Sequence, residues 1–519
     1  MKRRHFLHTT GAVVSLPVLL NGMKVGTLPK TALFNNMNLE NDRVLVIIQL
    51  NGGNDGLNMI IPIDQYDNLA SARANILLPE NSILPATDVT GFHPIMTGVK
   101  SLYDDGKLGI IQSAGYPDQN RSHFRSTDIW TSGSPAGEFW TTGWLGRYFE
   151  ERNPDFPENY PNSDFPDPFA ITMGSTVSET CQGTVANFSM TLNDPFSLSA
   201  LTEGEPGDVP NTPYGEELTF LRTAIAQTNA YSENITTAAE QGNNLVAYPD
   251  DNRLAQQLKN VALLMSGGLQ TKVYVVSLGG FDTHANQVDI NDATIGGHAN
   301  LLGTLSQAIK VFQDDLQQLG LEERVIGMTF SEFGRKIKSN DSFGTDHGTA
   351  APLIVFGSCV NPQILGDNPE ISPQVAASEG VAMQYDFRDI YGSILMDWFE
   401  VDETEVTSSL HPEFTYLPIL RNCSATTSTD TVIKPDLDLR SSPNPCRNMI
   451  RFQFTTTQEY GRLAIFDAMG SQIKVVFGQK LAPGAHEVTV DTSQLPAGTY
   501  YAHLQLEGRQ RTSRFIKMK

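Results

Sequence analysis

"VLVIIQLNGGNDGLN", Val44 to Asn58, passes from a run of aliphatic residues into two glycines, an Asn and an Asp. The aliphatic part does not alternate with polar residues, which is the pattern of a strand buried on both faces of a parallel sheet. Its glycines, Gly52, Gly53 and Gly56, do not spell G-x-G-x-x-G, and no acidic residue follows a second strand as a dinucleotide fold requires. A Gly-Lys-Ser/Thr for a phosphate loop is also missing. The stretch therefore predicts a sharp turn at the end of a first strand, its glycines free to adopt unusual dihedrals, with Asn54 and Asp55 aimed into the cleft at the strand end.

Four further continuous apolar runs extend this pattern: Lys107 to Gly115, Thr271 to Gly280, Arg324 to Phe330 and Ala351 to Gly357. Helical stretches lie between them. The clearest is His298 to Leu319, where Leu301, Leu302, Leu305, Ile309, Phe312, Leu316 and Leu319 recur at three- and four-residue spacing before Gly320. His298 reads there as a solvated cap residue. Strand and helix in alternation predict an α/β fold, a doubly wound, mainly parallel sheet with helices on both faces, whose ligands sit outside the carboxyl ends of the strands. The Pro-rich segment from Glu150 to about Tyr248, with a helix around Glu216 to Gln241, reads as an insertion or cap over the sheet.

The chain has 519 residues, 40% of them hydrophobic, enough for a sizeable core and more than one domain. Its net charge of −22 argues against a nucleic-acid partner and favours cations, metal ions included. The four cysteines, Cys181, Cys359, Cys423 and Cys446, form no C-x-x-C pair, which excludes a zinc ribbon or thioredoxin-like site and leaves one or two disulfides open. The start, "MKRRHFLHTTGAVVSLPVLLNG", is basic and then apolar over too short a run to anchor in a bilayer, so residues 1–40 read as an export signal and spacer. Arg3-Arg4 before His5-Phe6-Leu7 resembles a twin-arginine signal. No other segment reaches membrane-spanning length, so the chain reads as exported and not integral to a membrane.

Residues 423–435, "CSATTSTDTVIKP", form a Ser/Thr-rich linker, and the character of the chain changes there. Residues 431–519 hold 12 basic and 7 acidic side chains, whereas residues 1–430 hold 24 and 51. Short alternating runs between Gly, Pro, Asn and Asp make 436–519 a small antiparallel β-sandwich, separate from the α/β domain at 41–422.

Just past each strand of the larger domain a Gly, an acid and a His or Arg appear together. "GGFDTHANQ" supplies Asp282 and His284, "SEFGR" supplies Glu332 and Arg335, and "GTDHG" supplies Asp346 and His347. Carboxylates and imidazoles of this kind bind zinc, manganese or calcium without distinguishing among them, and with Asp55 they form a candidate site for one or two divalent ions. "RSHFRSTDIW" adds Arg121, Ser122 and His123, a candidate nucleophile with neighbours able to hold an anionic substrate, although Ser122 equally reads as the cap of a helix beginning near Phe124. No G-x-S-x-G elbow occurs.

"LNGGNDGLN", "RSHFRSTDIW", "GGFDTHANQ", "SEFGR" and "GTDHG", in that order, resemble the bacterial family grouped as domain of unknown function 1501 over roughly Asp42 to Val401. That family looks like a branch of the alkaline-phosphatase and sulfatase superfamily. The resemblance implies two divalent metals and a Ser, Thr or modified Cys nucleophile at the carboxyl edge of the sheet. It places Asp282, His284 and His347 among the metal ligands and Ser122 near the nucleophile. Two positions depart from it: Asn51 stands where relatives carry an Asp, and Phe333 where they carry a His. In the tail, "SSPNPCRNMIRFQF", "LAIFDAMGSQI", "LPAGTYYAHLQLEG" and "SRFIKMK" resemble the C-terminal sorting domain of Bacteroidetes type IX secretion, which implies the type IX machinery as partner and a surface or extracellular destination.

Two functions are thereby expected. One is an exported metal-dependent hydrolase of phosphate or sulfate esters, acting on a small anionic ester or glycan, with Arg121 or Arg335 neutralising the anion. The other is a non-catalytic surface binding protein on the same fold, which Asn51 and Phe333 favour.

Overall fold

The computed structural model describes residues 42–198, 212–421 and 439–518, apart from 457–458, 468–471, 483 and 507–508. The export signal at 1–40 and the linker at 423–435 lie outside the described residues. The chain divides into two compact units between Arg421 and Asn422.

In the first unit, the strands of the central sheet are β1 (Val44–Asn51), β2 (Leu108–Gly115), β3 (Ala170–Met173), β4 (Ser189–Leu192), β5 (Val273–Gly279), β6 (Val325–Phe330), β7 (Ala351–Phe356), β8 (Ile364–Leu365) and β9 (Tyr385–Asp386). They lie in the order β8-β2-β7-β6-β1-β5-β3-β4, with β9 also paired to β2. All pairings are parallel except those of β7, which runs antiparallel to both β2 and β6. The sheet is thus doubly wound and mainly parallel, as the apolar runs predict. The reversed strand has a direct consequence: residues that precede β7 reach the same edge as residues that follow its parallel neighbours. Ala351 at the start of β7 pairs with Ala114 near the end of β2.

Side chains of β1 alternate between two covered faces. Val46, Ile48 and Leu50 pack with Tyr274, Val276 and Leu278 of β5 against helices Arg253–Ser266 and Gly297–Gln318. On other helices an aromatic set closes around β6, with Trp130 stacked on Phe330 and Phe387 at 5.7 and 4.3 Å and Trp144 on Tyr391 at 4.2 Å. The segment 150–248, expected as a cap, supplies strands β3 and β4 and so widens the sheet; their four-residue runs are too short to stand out by periodicity among prolines. His298 is not solvated. It is buried at the start of its helix, bonded through Nε2 to Asn54 Oδ1 at 2.9 Å, and burial pushes its pKa down to about 4.

The turn after β1 is sharp, with φ of +123° at Gly52 and +81° at Gly53. A side chain at Gly52 would strike the backbone of Asp282, and one at Gly53 the ring of Phe333. The chain that leaves the turn goes inward, and this corrects the expectation for Asp55. Its carboxylate, 1% exposed, accepts from Arg73 Nη1 at 2.8 and 3.0 Å and from Gln287 Nε2 at 2.6 Å. Arg73 also donates to the carbonyls of Ile337 and Lys336. The residue offered as a ligand is a buried structural anion, because a guanidinium within reach satisfies it better than the cleft does.

The second unit consists of two antiparallel sheets. One is Arg440–Ser442, Met449–Thr456 and Gly484–Asp491; the other is Gln472–Leu481, Glu459–Asp467, Gly498–Leu506 and Arg509–Lys517. Ile450, Phe452, Leu463, Ile465, Leu504 and Phe515 form its core, a sandwich of the predicted kind. Cys181 and Cys446 are free and buried, and Cys359 is disulfide-bonded.

Burial opposes the charge on Asp55, but Arg73, His298 and Gln287 outweigh it and lower its pKa. A folded pKa below the unfolded value of about 3.9 means that the stabilisation is complete above about pH 4 and is lost as pH falls through the folded value. Arg73→Met is expected to cost about 3–5 kcal/mol at neutral pH in urea denaturation, since it strands a buried charge. The gap to wild type should narrow as pH falls through the pKa of Asp55 in the variant, which burial without Arg73 raises.

Candidate metal centre

Four loops meet at the carboxyl edge of the sheet. The helix His123–Ser132 brings His123, the loop after β5 brings Asp282 and His284, the loop after β6 brings Glu332, and the ribbon Arg335–Ser339 with Thr345–His347, which leads into β7, brings Asp346 and His347.

Three imidazoles converge on one carboxylate. His347 Nε2 and His284 Nε2 each lie 3.1 Å from Asp282 Oδ1, His123 Nε2 lies 3.4 Å from Asp282 Oδ2, and the Nε2 atoms of His284 and His347 face each other at 2.9 Å. Each ring uses its other nitrogen on an oxygen that only accepts. His123 Nδ1 donates to Glu332 Oε1 at 2.8 Å, His284 Nδ1 to Asp346 Oδ1 at 3.1 Å and His347 Nδ1 to the Arg121 carbonyl at 2.8 Å. Those partners orient the rings so that their Nε2 atoms face one another and Asp282.

Burial disfavours the charge on Asp282, yet the Arg335 guanidinium together with His347 and His284 holds its pKa at about 2. The carboxylate is therefore anionic at neutral pH. Imidazole nitrogens and a carboxylate gathered at such distances are ligand types that suit zinc and related divalent ions. His123, Asp282 and His347 each offer a ligand atom, all within 4.8 Å of one another. His284 makes a fourth donor beside them. The remaining Nδ1 partners supply the oxygen acceptors that fix ring orientation in known metal sites.

Among the described residues this is one group, not two. Phe333 has no donor atom, and its ring packs on His123 and His347 with centroids 5.0 and 4.6 Å apart. Glu332 is not directed into the group. It is 2% exposed, and its Oε1 also accepts from the Gly52 amide at 2.8 Å. Asp346 stands behind His284 and is bonded to Lys336 Nζ at 3.1 Å. Arg335, 1% exposed, donates to the carbonyls of Gly52, Gly53, Phe281 and Thr345 and to Asp282 Oδ1. It cannot reach a substrate, which corrects its expected role. Ser122 is exposed at the N-cap of its helix without a side-chain cap bond, between Arg121 and His123. Arg121 Nη1 donates to the Ser378 carbonyl at 2.9 Å.

Two family models match the chain. Residues 107–407 match the Protein of unknown function (DUF1501), and residues 442–518 match the Secretion system C-terminal sorting domain. The chain belongs to the DUF1501 family. All of the cluster residues described above lie within the DUF1501 match. The sorting domain marks this DUF1501 chain for export to the cell surface or beyond, and no described helix is long and apolar enough to cross a membrane.

No curated protein matches the chain. Among solved structures it is similar to a protein in the alkaline phosphatase superfamily from Vibrio parahaemolyticus, with 10% identity, 81% of this chain and 76% of that one covered, and a TM-score of 0.32. It is also similar to a protein from the glycosaminoglycan metabolism of Bacteroides thetaiotaomicron, with 8% identity, coverage of 87% and 90%, and a TM-score of 0.32. A third likeness is to PorZ, a surface component of the type-IX secretion system of Porphyromonas gingivalis, with 15% identity, 16% of this chain, 11% of PorZ and a TM-score of 0.13. The DUF1501 chain thus spans about a ninth of PorZ's length.

Asp346→Asn removes the charge behind His284 while leaving a side chain of the same size. It is expected to weaken zinc binding by the full chain about 10- to 100-fold, read by competition with a chromophoric chelator. Unchanged affinity would exclude His284 as a ligand.

Proposed function

We propose that this protein is an exported metal-dependent hydrolase of phosphate or sulfate esters. One observation carries the reading: three histidines, each anchored through Nδ1 on an oxygen, converge through Nε2 on a shared carboxylate. A divalent ion held by His123, Asp282, His284 and His347 would supply a Lewis acid for an ester oxygen. Glu332, Asp346 and the Arg121 carbonyl keep the rings oriented. Arg335 keeps Asp282 ionised and fixes the loop that carries it.

Ser122 adjoins His123 in the chain and is open to solvent, so it is the proposed nucleophile; a water molecule in the same place is the other choice. Arg121, next to Ser122 in the chain, would neutralise the non-bridging oxygens once its contact with Ser378 yields. The leader at 1–40 would be removed on export, 41–422 would form the working domain and 436–519 would engage the type IX machinery.

A second reading, a non-catalytic surface protein with a structural ion, is favoured by the Ser122 hydroxyl, which among the described residues is bonded to no base, and by the Phe333 ring beside the cluster.

Metal content and turnover of p-nitrophenyl phosphate and p-nitrophenyl sulfate decide between them. The hydrolase reading expects stoichiometric metal, turnover that a chelator abolishes, and loss of both in His347→Ala. Ser122→Ala should lower kcat by more than about 1,000-fold if the serine attacks, and by far less if water does. Stoichiometric metal with no turnover of either ester would leave the structural-ion reading standing.

A further inference from the structure

β1 carries an anomaly for a central strand. Gln49 and Asn51, at alternate positions, face the same side, where a doubly covered parallel sheet ordinarily places aliphatic residues. Their side-chain amides make no hydrogen bond to described residues, although both are only partly exposed. Their polar atoms are open to solvent, so the face they form is a hydrated polar surface within the sheet.

Both open into a cavity of about 500 Å³ between β1, β5, β3, the helix His123–Ser132 and the loop Gly174–Glu179. That volume lies within the range of about 300–1,000 Å³ typical of small-molecule sites. The cavity shares a wall with the cluster: Asn51 adjoins Gly52, whose amide holds Glu332, and Phe124 adjoins His123. Its lining is mostly hydroxyl and amide groups, with the carboxylates of Asp128 and Glu179 and no lysine or arginine. An anionic group would find no counter-charge there. At the rim, Phe124 is 92% exposed, an apolar ring beside a polar cavity.

We infer that this cavity binds an uncharged polyhydroxylated group, a saccharide ring, with Gln49 and Asn51 bonding its hydroxyls and Phe124 covering its apolar face. Each amide offers donors and an acceptor, which suits neighbouring hydroxyls that also do both. A sugar presents C–H groups to an aromatic ring as well as hydroxyls at its edge. The inference rests on the hydrolase reading for its place in a reaction: the cavity takes the alcohol part of an ester whose anion meets the cluster. Binding itself requires neither metal nor turnover.

The test is binding of neutral disaccharides to the full chain, by glycan array and then by calorimetry at millimolar sugar. Saturable binding is expected in wild type and in His347→Ala. Phe124→Ala, at an exposed position that folding does not need, should weaken it about tenfold while metal content stays unchanged. Gln49→Leu, similar in size but without the amide, should do the same. No saturable binding in wild type, or affinity unaltered by both substitutions, would overturn the inference. Turnover of p-nitrophenyl esters without sugar binding would defeat the subsite alone, whereas sugar binding without turnover would defeat the hydrolase reading alone.

Discussion

The buried guanidinium of Arg335 holds the carboxyl edge of the sheet together. It gathers the carbonyls of Gly52 and Gly53 from the loop after β1, Phe281 from the loop after β5 and Thr345 from the ribbon before β7. Three chain segments far apart in sequence thus end on one rigid, planar group. A guanidinium is always charged and its donors diverge in a fixed fork, so it fixes the spacing of these loops as a lysine would not. Its bond to Asp282 Oδ1, the oxygen that His284 and His347 also approach, transmits that order to the cluster.

Asp55 and Arg73 form an ion pair buried on both sides, and the two arginines divide the labour of the turn after β1. One receives the carbonyls of its glycines and the other its carboxylate. This explains why the turn tolerates only glycine at Gly52 and Gly53: the backbone of Asp282 and the ring of Phe333 lie directly against them. The same close packing makes Phe333 the floor for two imidazoles, where a further donor would have enlarged the cluster.

Much of the fold was legible in the sequence because a strand covered on both faces is largely apolar, and β1, β2, β5, β6 and β7 each carry such a run. Strands β3 and β4 were not, since four residues among prolines carry too little periodicity. At the site, Asp282, His284, Asp346 and His347 were visible as polar residues clustered at strand ends. His123 stood out only as a neighbour of Ser122; its helical position beside the strand ends was a signal that went unused. Asp55 and Arg335 were misread because side-chain type reveals charge but not what compensates it.

The sequence by itself determined the layered α/β architecture, the sandwich tail and the edge at which polar residues gather, because periodicity and burial are local properties of the chain. Only the tertiary structure decided which polar residues face one another. The reversal of β7 brings His347 to the edge where Asp282 emerges, and Arg73, from outside every motif, takes Asp55 away from it. The amides of Gln49 and Asn51 gain their meaning in the same way, since only the packed sheet shows a polar cavity where a strand core would ordinarily be. Partner choice for a charge or an amide depends on distances between segments remote in sequence, and no local pattern contains those distances.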